Sequence, residues 1–185
     1  MSPRSVAYIL CYLLALAISP SDARDALGVQ ISGKVANGLY YVTAALPIVL
    51  SPEVEEAVKN GVPLQFVFDF RINRSRRYLW DEELLSVRRS CTLERHALAN
   101  KYVVTDLITH RSTVAGSIAE ALEMLGHLTE IPLGKAQRLI TVPPLIGTAR
   151  GQLNIEALPA PLRPIAYLTP SWHLKSPRLK WQVLP

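Results

Sequence analysis

Phe66, Phe68 and Phe70 occupy every second position of the run Leu64-Gln65-Phe66-Val67-Phe68-Asp69-Phe70-Arg71-Ile72. Alternation with period two sends Leu64, Phe66, Phe68, Phe70 and Ile72 to one face of a strand. Gln65, Val67, Asp69 and Arg71 go to the other. The first face needs a second layer to cover it, while the second is half polar. A strand this one-sided belongs in an antiparallel sheet rather than in a parallel sheet buried on both faces. The aromatics read as core, and the rest of the chain is placed around them.

Ahead of that strand, Val29, Ile31 and Val35 alternate with Gln30, Ser32 and Lys34, and Asn37-Gly38 follows. Asn-Gly is the strongest short signal for a two-residue hairpin turn, so residues 27–35 and 39–46 read as its two strands. A short helix comes next, with Ser51 as N-cap, Pro52 at N1 and Glu53 and Glu55 in the first turn. Val54, Ala57 and Val58 form its apolar face, and Asn60-Gly61 ends it.

Beyond the aromatic strand, residues 83–97 carry Leu85, Val87, Cys91, Leu93 and Ala97 on one parity. Arg88, Ser90, Thr92, Glu94 and His96 take the other. Arg89 and Arg95 interrupt the apolar parity, which predicts a bulge or an edge position. A turn at Leu98-Ala99-Asn100 and a return strand over 101–107 complete a second hairpin. Ser112 or Thr109 then opens a helix bearing Val114, Ile118, Ala121, Leu122 and Leu125 at helical spacing, stopped by Gly126.

Leu139-Ile140-Thr141-Val142 and Leu145-Ile146-Gly147 read as strands flanking Pro143-Pro144, the second continuing toward Ile155. Three prolines within residues 158–164 predict a stiff extended crossover, neither helix nor central strand. Leu179, Trp181 and Val183 alternate with Lys180 and Gln182 in a closing strand, with Trp172 and Trp181 as core anchors. The expected fold is mainly β: a two-layer antiparallel β-sandwich of seven or eight strands with two short helices. A single-sheet α+β fold with helices on its apolar face is the alternative.

Arg4, an apolar stretch over residues 6–18, and the small residues Ser21 and Ala23 have the form of a signal peptide cleaved after Ala23. The apolar stretch falls short of the ~20 residues a membrane-spanning helix needs; an uncleaved N-terminal anchor is the competing reading. Residues 24–185 fit one domain, of a size that buries roughly two-thirds of its unfolded surface. Without the leader, Cys91 is the sole cysteine, so no internal disulfide can form, and it reads as a small buried hydrophobe. The net charge of +5 favours anionic partners such as membrane headgroups or acidic proteins.

His96, His110, His127 and His173 show no zinc spacing, and neither a nucleophile elbow nor a glycine-rich phosphate loop occurs, so no cofactor, metal or catalytic residue is assigned. Arginines carry the sharpest positive reading. Arg71, Arg74, Arg76, Arg77, Arg88 and Arg89 lie on a strand end, its loop and the following strand, with Tyr78 and Trp80 among them. Guanidinium groups suit bidentate contact with phosphate or carboxylate, and the aromatics suit stacking or a membrane interface. The bland alternative is a solvated loop whose arginines pair with Asp69, Asp81, Glu82 and Glu83. Nucleic acid is excluded as a partner by the expected export and by aromatics not spaced as a stacking platform.

Several segments occur in a fixed order: Gly61-Val62-Pro63-Leu64, Arg76-Arg77-Tyr78-Leu79-Trp80 and Leu93-Glu94-Arg95-His96-Ala97-Leu98 with Lys101-Tyr102. Ala121-Leu122-Glu123-Met124-Leu125-Gly126, the run over 158–164 and Ser171-Trp172-His173-Leu174-Lys175-Ser176 follow. Together they resemble a family of proteobacterial exported proteins, the domain of unknown function number 4390. The resemblance implies an envelope protein with a leader and one small domain, and brings no catalytic residue or cofactor. The resulting expectation is a non-catalytic binding module contacting an envelope protein or an anionic membrane surface. A small hydrolytic or lipid-handling enzyme is the alternative.

Overall fold

A computed structural model describes residues 30–76, 80–140 and 144–183. The expected leader, Arg77, Tyr78 and the Thr141-Val142 portion of an expected strand lie outside the described residues. Asn37 and Gly38 adopt φ of 50° and 74°, the left-handed pair a tight hairpin needs. They join β1 (Ile31–Ala36) to β2 (Leu39–Ala45), and β7 (His127–Lys135) pairs with the other side of β2.

The second sheet has six strands: β3 (Leu64–Arg74), β4 (Glu82–His96), β5 (Lys101–Asp106), β6 (Ser112–Ala115), β8 (Leu145–Leu153) and β9 (Leu179–Gln182). Their order is β6-β5-β4-β3-β8-β9, with every neighbour antiparallel. The two sheets make the β-sandwich expected from the aromatic strand, with nine strands among the described residues rather than seven or eight.

Leu64, Phe66, Phe68, Phe70 and Ile72 are all fully buried on the inner face of β3. Tyr40, Val42, Ala44 and Leu46 from β2 and its end, and Leu128, Ile131 and Leu133 from β7, belong to the same core. Each such aliphatic or aromatic side chain contributes about 1.5–3 kcal/mol on leaving water. Trp172 is buried and Trp181 half-buried; the Trp181 indole donates to the Tyr40 hydroxyl at 3.2 Å, tying β9 to the facing sheet. Strand β8 makes room for the rings by lacking side chains. A Cβ at Gly147 would lie 2.1 Å from the Trp181 ring, and one at Gly151 would lie 2.8 Å from the Phe68 ring.

Helix α1 (Pro52–Lys59) forms as expected. The Ser51 hydroxyl accepts from Val54 N–H, Glu53 and Glu55 occupy the first turn, and Val54 and Val58 are buried. Helix α2 (Ile118–Gly126) starts later than the apolar spacing indicated. Ser117, not Ser112 or Thr109, is its N-cap, and the Glu120 carboxylate accepts from Gly116 N–H at 2.7 Å. Residues 112–115 are instead edge strand β6, with Val114 opposite Val103. Thr109 is taken up in the preceding turn, where Asp106 accepts from the N–H groups of Ile108 and Thr109.

Three further expectations are corrected. Arg89 and Arg95 mark no bulge, the irregularity lying between Ile72 and Asn73, but each has a strand on one side only: Arg89 pairs with Phe68 on β3 past the end of the β5 ladder, and Arg95 with Tyr102 on β5 past the end of the β3 ladder. Strand β7 was not read at all, because its buried residues Leu128, Ile131 and Leu133 lose period two where Glu130 takes φ of 49°. Leu139 ends a turn of 3-10 helix over Ala136–Leu139 instead of opening a strand. The proline-rich crossover also runs into a third short helix, α3 (Arg163–Leu168). Pro164 is tolerated there because the first turn has no use for its missing N–H. No helix among the described residues is long and apolar enough to cross a membrane.

Candidate functional site

The polar side of β3 is the outer face of the six-stranded sheet, and strand register sets what gathers there. Asp69 stands opposite Arg88 on β4 and opposite Arg150 on β8, giving a row of cation, carboxylate and cation across three strands. One row along, Arg71 aligns with Thr148 on β8, and Thr148 aligns with Lys180 on β9. These rows floor an open basin of about 520 Å³. Its charged lining is Arg71, Arg88, Arg150, Arg178 and Lys180 against Asp69 and Asp81, leaving a surplus of positive charge.

Two of the five cations are already partnered. Arg88 Nε donates to Asp69 Oδ1 at 2.9 Å, and Arg71 lies 3.5 Å from Glu83. Among the described residues the side chains of Arg150, Arg178 and Lys180 make no hydrogen bond or ion pair. Arg150 Nε is buried without a partner, although a buried donor ordinarily has one. The basin therefore holds guanidinium and ammonium groups whose donors await an acceptor.

The residues expected from sequence divide into three places. Arg71 and Arg88 belong to the basin. Arg74 and Arg76 sit at the sheet end and share one carboxylate, Glu82, which stands directly across from Arg74. Burial pushes the Glu82 carboxyl up, but the Arg76 and Arg74 guanidiniums overcome this and hold it below the usual range. Arg89 lies on the inner face, aligned with Phe68, and donates to Asp106 Oδ2 at 2.6 Å. Arg77 and Tyr78 lie outside the described residues. Trp80 is 93% exposed and immediately precedes Asp81 of the basin wall.

Arg89 is one part of a part-buried polar group. Burial pushes the Asp106 carboxyl up, yet the N–H groups of Ile108 and Thr109 and the Arg89 guanidinium bring it below the usual carboxylate range. Cys91, on the same inner side, has its thiol pushed up to about 11, first by burial and then by Asp106. Such a thiol is protonated at neutral pH and unsuited to nucleophilic work.

Sequence reasoning missed Arg150, Arg178 and Lys180. The signal was faint: Ile146, Thr148, Arg150 and Gln152 alternate with Leu145, Gly147, Ala149, Gly151 and Leu153, and small inner residues blunt the apolar period. Only the pairing of β3 with β8, distant in sequence, brings Arg150 to Asp69.

His96 and His110 are exposed, at the end of β4 and in the β5–β6 turn. His127 shares an open hollow of about 560 Å³ with Thr113, Glu120 and Glu123. Among the described residues no hydrogen bond joins its ring to either glutamate, so a base and its orienting acid are not assembled there. Nor do three or more His, Cys, Asp or Glu side chains among the described residues converge to hold a metal ion.

Comparison with curated proteins and with solved structures gave no match to either. Comparison with protein families does give a match, over residues 29–182, to the domain of unknown function DUF4390, and the chain belongs to that family.

Proposed function

We propose that this chain is a non-catalytic binding module of the bacterial cell envelope that holds an anionic partner in the basin on its outer sheet face. The observation that carries the reading is the set of unpaired donors on Arg150, Arg178 and Lys180 beside the ordered Asp69–Arg88 pair. The Arg150 guanidinium fork is held on strand β8, so it binds phosphate or carboxylate with little further ordering, and Arg178 and Lys180 add charge beside it. The signal-peptide form of the first residues and the family resemblance support an exported location.

Titration with inorganic polyphosphate, followed by backbone amide shifts, tests the reading. Shifts should centre on the outer positions of β3, β8 and β9 and weaken as salt rises. They should be lost in an R150Q/R178Q/K180Q variant that keeps the wild-type fold. Equal affinity in that variant, or shifts centred on His127 and Glu123, would overturn it; the second outcome would favour the enzyme alternative.

A further inference from the structure

We infer that the anionic partner is a phospholipid surface, with the basin meeting headgroup phosphates while Trp80 enters the interface. The inference rests on the anion-binding reading and goes further in naming the partner. Three features separate a surface from a single small anion.

The first is span. Arg88 on β4, whose pair with Asp69 uses Nε and leaves its terminal nitrogens over, and Lys180 on β9 lie three strand spacings apart, about 14 Å. One phosphate cannot bridge that distance, whereas a lattice of headgroups presents several. The second is shape, because the cations stand on the outer face of a sheet in an open basin rather than in an enclosed pocket.

Trp80 is the third. It is 93% exposed, and its Cα is within about 3.8 Å of that of Asp81 in the basin wall. An indole left in water, next in sequence to a wall residue of the basin, gains nothing in the free protein. At a bilayer its apolar body leaves water while its N–H stays among the headgroups. Asp69 does not oppose docking, since it is paired to Arg88, and the cations outnumber the remaining carboxylate, Asp81. Adsorption of this kind needs no membrane-spanning segment and is reversible.

Co-sedimentation with vesicles tests it: neutral phosphatidylcholine, phosphatidylcholine mixed with phosphatidylglycerol, and polyphosphate as the soluble control. The protein should partition to the anionic vesicles and not to the neutral ones. R178Q/K180Q alters two exposed positions and so leaves folding intact. It should weaken vesicle partition by about thirtyfold, the scale of two cations at an anionic surface, and weaken polyphosphate binding as well. Trp80→Ala should weaken vesicle partition by about tenfold while leaving polyphosphate binding unchanged.

Polyphosphate binding without vesicle binding would overturn the inference, leave the anion-binding reading standing, and assign the basin to a soluble or protein-borne polyanion. Vesicle partition unaffected by Trp80→Ala would also overturn it. Failure to bind either probe would sink both readings.

Discussion

The two faces of β3 differ in what holds them in place. Inside, Phe66, Phe68 and Phe70 are locked by volume in the shared core, with Phe68 pressed against Gly151 on β8. Outside, Asp69 and Arg71 sit in rows of charge, partnered by single contacts and open to water. The inner face specifies the fold with groups that tolerate little change. The outer face places charges whose pairs are largely solvated.

That contrast is testable by substitution. Phe68→Ala should have the largest effect, destabilising by about 3–5 kcal/mol in chemical denaturation, because it leaves a ring-sized cavity beneath Gly151. Asp106→Asn should come next, at about 2 kcal/mol, by leaving the Arg89 guanidinium with no ionic partner. The Asp106 carboxyl is depressed in the folded protein, so its contribution is present above the unfolded pKa and lost as pH falls through the folded one. Wild-type stability should accordingly fall on acidification below the usual carboxylate range, and the Asp106→Asn profile should be flatter there.

Gly147→Ala should cost about 1–2 kcal/mol, since the Trp181 ring must shift to admit the methyl group. On the outer face, Arg88→Ala should change stability by less than about 1 kcal/mol, because its pair with Asp69 is largely solvated. A loss there as large as that of Phe68→Ala would erase the distinction between the faces. The smallest effect is on Cys91, which should resist iodoacetamide in the native protein at neutral pH and react once denaturant exposes it.

Legibility followed the same division. Wherever local chemistry decided the structure, the sequence was enough: the Asn37-Gly38 turn, the Ser51 cap and the alternation over 64–72 all form as read. It failed where a tertiary neighbour overruled the local pattern. Val114 fitted a helical stripe but pairs with Val103 at a sheet edge, and Glu130 breaks the period that would have revealed β7. Arg89 interrupts the apolar parity and reads as part of the basic cluster, but Asp106, distant in sequence, is its inward partner. The basin was half visible, through Arg71 and Arg88; its other cations reach it through strands whose order no local signal announces.

The glycines of β8 leave the Trp181 indole directly against the strand that floors the basin. Gly147 is flanked in sequence by Ile146 and Thr148 of the basin lining, and the Trp181 ring rests on its other side with nothing but backbone between. A shift of that backbone would disturb the indole and its hydrogen bond to Tyr40. With Trp80 and Trp172 replaced by Phe, Trp181 emission would then serve as an unlabelled gauge of that strand.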